Sequence, residues 1–302
     1  HSESVGIMKN LFIYSESRGK EASGVAAISN DSILVYKTPE PSSELLKSDI
    51  YRQNFSNLKT NISQNFASIG HSRLVTNGYE HLNKNNQPFI KSKSCVVHNG
   101  IIANQQNIVD KYEHFDFISD LDSEIIPTIL MHEVDKKKKF NEATKKLFSE
   151  IYGMTTFGML FEEYNYLLLA TNNGSLYYSY NKENDSFIFA SEKYIVSNII
   201  SKKKYSKYFN VTDIKQLLPN EALMLNLIDV SSQNIGRNSQ SNLESVKRIS
   251  RNRVIIDLSA QQTGAINTSF EVFLDKPPSD FVSFFQKQSE KIMEAVKNKH
   301  EA

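Results

Sequence analysis

Three polar stretches carry side chains able to do chemistry: GHSRLVTNG at 70–78, HNG at 98–100 and SDLDSE at 119–124. Arg73 offers a rigid, two-pronged donor for a carboxylate, and Asp122 offers a charge for an ammonium. The Asn99 side-chain amide and the Gly100 main-chain N–H are donors of the kind that stabilise an oxyanion forming at a carbonyl. If these ends converge, they make a pocket for a zwitterionic amino acid. Taken singly the signals are ordinary, because an Arg after a strand usually makes a surface ion pair and Asn-Gly usually makes a turn. Order and spacing must supply the specificity.

Cys95, the only cysteine, is the obvious nucleophile to test. In KSCVVHNGII, period-2 alternation puts Cys95, Val97 and Asn99 on one face of a strand. At about 3.3 Å per residue, Asn99 is displaced from Cys95 by roughly 13 Å. A thiol buried in an apolar strand also acts as a small hydrophobe with a raised pKa. Cys95 therefore reads as sheet filler. Ser2 opens a helix and reads as a cap, and the histidines lack zinc-ligand spacing, so neither a metal nor a cofactor is expected.

The elements that must position these residues follow from periodicity. SVGIMKNLFIYSES puts Val5, Met8, Leu11 and Phe12 on one face of an amphipathic helix that stops near Arg18-Gly19. GVAAISNDSILVYK reads as a hairpin around an Asn-Asp-Ser turn. After a polar helical stretch, FASIGHSRL and KSCVVHNGII are strands that end in polar, Gly-containing turns. ANQQNIVDKY, DSEIIPTILMHEV and FNEATKKLFSEIYG are helices, with Pro127 tolerable only in the first turn of the second. From Met154 four strand-like runs follow, TFGMLFEE, YLLLATNN, SLYYSYNK and SFIFASEK, expected as an antiparallel meander. Residues 231–269 are rich in Ser, Asn, Gln and Arg with one short apolar run, RVIIDL, and read as a linker. Pro277-Pro278-Ser279 then introduces an amphipathic helix with Phe281, Phe284, Phe285, Ile292 and Val296 on one side.

The 302 residues allow one large domain plus an appendage, here 1–230 and 231–302. With 35 basic and 34 acidic side chains, no overall field recruits nucleic acid or an anionic membrane. A lone cysteine cannot make an intrachain disulfide, and no apolar run is long enough to span a bilayer, so the cytoplasm is expected.

Five ordered motifs resemble one family. SRGKEASGVA looks like an Arg-Gly turn, GHSRLVTNG a Gly-His-x-Arg-x-x-Thr segment, NNQPF an Asn-x-Gln-Pro-Phe loop, VVHNGIIAN a His-Asn-Gly strand end and SDLDSEII a Ser-x-x-Asp-x-Glu helix start. Together they are similar to the class II glutamine amidotransferase domain of N-terminal-nucleophile hydrolases, as in the glutaminase half of glucosamine-6-phosphate synthase. Later strands and IKQLLPNEALMLN, with Asn220 where the family has Gly, extend the resemblance over residues 4–228.

The resemblance implies an α+β fold, a four-layer αββα sandwich of two antiparallel sheets. It implies that Arg73 binds the glutamine α-carboxylate and Asp122 its α-ammonium, with Leu74, Thr76 and Asn77 lining the same pocket. Asn99 and Gly100 become the oxyanion hole, and Arg18 and Gly19 support the site. The family nucleophile is an N-terminal cysteine whose free α-amino group serves as base. Because the chain starts at His1 and enters a helix almost at once, the resemblance implies a cysteine-bearing first strand before His1, so that an edge or core gap is expected at its place. The implied function is a glutaminase that supplies ammonia to a separate synthase chain, in sugar or nucleotide-sugar amination. The C-terminal helix is expected to dock on its own domain or to make an oligomer or partner contact. Two other readings fit the same residues: a nucleophile-less glutamine-binding or scaffold module, and a hydrolase of another amide, against which Arg73 and Asp122 argue.

Overall fold

The computed structural model describes residues 2–29, 32–55, 67–74, 83–136, 138–164, 166–181, 186–209, 213–227, 247–250 and 253–257. The chain opens with α1 (Ser2–Ser15), whose Met8 and Phe12 are buried as the helical spacing predicts. A 3-10 turn, Glu16–Arg18, ends it. The hairpin β1 (Ala22–Ser29) and β2 (Ser32–Thr38) follows, then the short helices α2 (Ser42–Leu45) and α3 (Asp49–Asn54). β3 (Ala67–Arg73) returns to pair with β1, closing a three-stranded antiparallel sheet in the order β2-β1-β3.

The second sheet is built on β4 (Phe89–Lys91) and β5 (Ser94–Gly100). Helices α4 (Gln105–Lys111), α5 (Ile125–Asp135) and α6 (Phe140–Glu150) come next, with Pro127 in the first turn of α5. Then β6 (Thr155–Phe161) pairs with β5, and β7 (Tyr166–Thr171) with β6. The chain crosses to the other layer for β8 (Tyr177–Asn181) and β9 (Ser186–Ala190), adds α7 (Lys193–Ile200), and places β10 (Lys215–Gln216) beside β8. It returns as β11 (Glu221–Asn226) beside β7, onto which β13 (Arg253–Asp257) and then β12 (Lys247–Ser250) pair. The second sheet thus has seven strands, β12-β13-β11-β7-β6-β5-β4, and β10-β8-β9 make a third sheet of three.

The core explains the layering. Val96, Phe157, Met159, Leu168 and Met224 pack the outer face of the seven-stranded sheet onto Ile125, Ile129, Leu130 and Leu147 of α5 and α6. The inner face packs Cys95, Val97, Leu160, Leu167 and Leu169 against Ala26 and Ile69 of the first sheet and Tyr178 of the third. Beyond those sheets, α1 to α3 cover the first and α7 the third. Four layers result, an αββα sandwich. A sheet buried on both faces needs apolar residues at both parities, and β6 is buried at every position.

The expected meander is corrected. β6–β7 and β8–β9 are two hairpins in different layers, divided at Asn172-Asn173-Gly174-Ser175. Gly174 sits at φ +76°, a conformation that favours glycine, where the chain leaves the sheet. RVIIDL, within the expected linker, supplies β13. Asn220 stands at φ +65°, which Asn tolerates better than most residues, so it can replace a glycine in that turn. The 279–296 helix lies outside the described residues.

Candidate functional site

Between the layers lies a cavity of about 550 Å³, a size suited to a small metabolite. Its walls come from α1, β3, β5, β6 and β9, and they include Arg18, Arg73, Asn99, Gly100 and Asp122. Residues separated by more than a hundred positions therefore meet on one surface. Among the described residues β3 and β9 are the last strands of their sheets, and both face this cavity.

Arg73 ends β3 and is 4% exposed. Its Nη1 donates to the Asn85 carbonyl and, at 2.7 Å, to Asn86 Oδ1. The Arg73 main chain is gripped from the other side, where Glu21 N–H donates to its carbonyl at 3.3 Å. Gly19 makes that approach possible: a Cβ there would stand 2.0 Å from the Arg73 carbonyl carbon, so no larger residue fits. Gly19 thus lets the Arg-Gly turn pack directly on the Arg73 main chain.

Asp122 opens the 3-10 turn before α5 and is 6% exposed. Its Oδ2 accepts from the Ile102 N–H at 2.8 Å, which ties the carboxylate to the segment that follows Gly100. Gly100 itself has φ +142°, and a Cβ would fall 1.9 Å from the Met154 carbonyl oxygen. Only glycine serves at that turn. Asn99 lies opposite Thr156 in the β5–β6 register and lines the cavity.

One element was missed in assigning roles from sequence. Asn85, Asn86 and Gln87 are buried and bind three different parts of the site. Asn85 exchanges hydrogen bonds with Asp120 at 3.2 and 3.3 Å, Asn86 holds Arg73, and Gln87 bridges the His98 N–H at 2.6 Å and Ser123 Oγ at 3.0 Å. Three consecutive amides have no periodicity to betray burial; the signal available was their density of donors and acceptors before Pro88.

Burial sets the electrostatics. His71 is held neutral, its pKa pushed down to about 3 by desolvation, with the nearby His98 and Arg73 acting the same way. His98 is also lowered by burial, against the Asp122 charge that favours its protonated form. Cys95 is completely buried, and desolvation raises its thiol to about 12, outweighing the nearby Lys37 cation. It is inert filler, as the strand pattern predicts.

The remaining expected residues divide. Leu74 lines the cavity and is 60% exposed. Arg18 lines the cavity and pairs with Glu192 at 3.1 Å. Thr76 and Asn77 lie outside the described residues.

The chain has similar proteins in sequence and in fold. The family described as a glutamine amidotransferase domain matches residues 71–198. The glutamine–fructose-6-phosphate aminotransferase (isomerizing) of Bacillus thuringiensis subsp. konkukian is 25% identical over 167 residues, covering 53% of this chain and 26% of that protein. The Staphylococcus aureus enzyme of the same name is 27% identical over the same shares. The chain thus spans about a quarter of the length of these relatives. Among solved structures, the glutamine phosphoribosylpyrophosphate amidotransferase of B. subtilis superposes with a TM-score of 0.55 at 19% identity, over 74% of this chain and 44% of that one. A structure titled the allosteric regulatory enzyme of purine biosynthesis gives 0.57 at 20% identity, over 75% and 45%. At those identities the superpositions establish the fold.

Proposed function

Residues 71–198 form a glutamine amidotransferase domain, and on that premise we propose that the chain binds L-glutamine and releases ammonia from it for a synthase partner. The observation that carries this is the meeting of a buried cation, Arg73, a buried anion, Asp122, and the Asn99-Gly100 turn on one cavity wall. Arg73 takes the α-carboxylate, Asp122 the α-ammonium, and the side-chain carbonyl is presented to Asn99 and Gly100. Leu74 offers its main chain to the same ligand, and the proposed ligand-binding set also includes Thr76 and Asn77.

Cys95 is excluded as nucleophile by its burial, so the reading takes a cysteine from before His1. Its thiolate attacks the side-chain carbonyl carbon, forming a C–S bond, and the oxyanion rests on Asn99 and Gly100. The C–N bond then breaks, and ammonia leaves with a proton returned by the terminal α-ammonium. Water cleaves the thioester to glutamate. The chemistry requires neither metal nor cofactor.

The relatives named for fructose-6-phosphate support a sugar or nucleotide-linked sugar as acceptor, on a synthase chain or segment beyond these 302 residues. A C-terminal helix that contacts that partner or a second copy fits the same picture, as does the cytoplasm. A second reading has an observation in its favour: the one thiol in the sequence is buried, which suits a glutamine-binding or scaffold module. The deciding experiment measures glutamate release from glutamine by the protein with its native N-terminus. Release abolished by Arg73→Ala supports the enzyme; tight glutamine binding without release under any acceptor condition leaves the module.

A further inference from the structure

His98 belongs to no step of the chemistry above, yet its ring is more tightly enclosed than any group that does. It precedes Asn99 on β5, and only 1% of its side chain is exposed. Because it has the opposite parity from Asn99, it points to the helix-covered face. There Nδ1 lies 3.1 Å from Ser123 Oγ and 3.8 Å from Asp122 Oδ1. At the other end of the ring, Nε2 stands 3.2 Å from where a Gly100 Cβ would be, is buried and has no hydrogen-bond partner among the described residues. The ring therefore fills the space between the carboxylate assigned to the substrate ammonium and the turn assigned to its oxyanion.

Gln87 locks this spacer at both attachment points. Its Oε1 accepts from the His98 main-chain N–H at 2.6 Å, and its Nε2 donates to Ser123 Oγ at 3.0 Å. Strand β5 and the turn before α5 are thereby fixed relative to each other, with the imidazole as the thickness between them. A neutral ring suits that place, since a cation there would pair with Asp122 and compete with a ligand ammonium. Burial keeps it neutral.

We propose that His98 is a positioning residue whose ring sets the separation between Asp122 and Gly100, and so sets the side-chain length of the amino-acid amide that the site accepts. The proposal rests on the reading of Arg73, Asp122, Asn99 and Gly100 given above. Glutamine then spans from ammonium site to oxyanion turn, and asparagine, one methylene shorter, does not. One methylene of mismatch gives about 10–200-fold discrimination in a fitted site.

The test measures equilibrium binding of L-glutamine and L-asparagine by calorimetry to the full protein and to three variants, each checked by thermal melting. His98→Asn keeps a polar atom near the Nδ1 position and vacates the Gly100 side. His98→Gln reaches toward the Nε2 position. Ser123→Ala keeps the ring and removes its tether, and it carries the test if His98→Asn does not fold. Wild type should prefer glutamine by at least about tenfold. The preference should collapse toward unity in His98→Asn, recover in part in His98→Gln and shrink in Ser123→Ala. A merely structural role would weaken both ligands equally, and an unchanged glutamine-to-asparagine ratio in the folded variants overturns the proposal. Wild-type protein that binds neither ligand overturns the underlying glutamine reading instead.

Discussion

Replacing Asp122 with Asn separates charge from shape at the centre of the site. The carboxylate is 6% exposed, and its one short hydrogen bond comes from the Ile102 N–H at 2.8 Å. Asn retains an oxygen for that bond, so folding stability should change by no more than about 1 kcal/mol. On the proposed reading, what disappears is the anion that takes the ligand ammonium. Hydrogen bonds to charged groups contribute about 1.5–3 kcal/mol, so L-glutamine should bind about 10–150-fold more weakly. Glutaramic acid, which is glutamine without its α-amino group, supplies the control. It should bind wild type weakly and lose almost nothing further in Asp122→Asn, so that the variant ceases to distinguish the two ligands. Calorimetric titration of both ligands against both proteins reads the whole cycle. An unchanged glutamine affinity, or an equal loss for the two ligands, would refute the assignment of Asp122 to the ammonium.

Gly19→Ala should lower stability by about 1–3 kcal/mol, the usual range for overpacking, and weaken glutamine binding by displacing Arg73, as denaturant melts and titration would reveal. A melt and affinity equal to wild type would contradict the close approach at Gly19. Cys95 should resist iodoacetamide at pH 8 in the native state and react once the protein is unfolded, a contrast that mass spectrometry reads directly, because its thiol is buried and raised to about 12. His71, lowered to about 3, remains neutral in the folded state while the unfolded ring takes up a proton below about pH 6.5. Its contribution is thus complete above that pH and is lost on acidification toward pH 3, at about 1.4 kcal/mol per unit for a single group. Urea melts of wild type and His71→Asn should diverge in slope across pH 6.5 to 5, and parallel profiles would exclude the linkage.

Much of the fold was legible because it depends on local periodicity. Met8 and Phe12 at helical spacing, the β1–β2 hairpin and Pro127 in a first turn each report a nearby geometric demand, and each stands where expected. The division of β6–β9 between two layers was not legible, since both hairpins share one local pattern and only their packing partners differ. The site shows the same split. Arg73, Asp122, Asn99 and Gly100 are brought to one cavity, and their order along the chain had pointed to that. The roles of Asn85, Asn86, Gln87 and His98 depend on partners 11 to 36 positions away, which no spacing rule reaches.

The run Asn85-Asn86-Gln87 has a thermodynamic consequence. Because one peptide segment holds Arg73 through one amide and the Ser123 and His98 side through the next, the two poles of the site share a support. Free-energy losses from Arg73→Ala and Asp122→Asn should therefore fail to add, although the residues lie 49 positions apart in the chain. A ligand that orders one pole stiffens the other, so on the proposed reading a fragment carrying only the carboxylate would raise the site's affinity for an ammonium. Cooperativity between fragments of the substrate would then arise inside a single pocket.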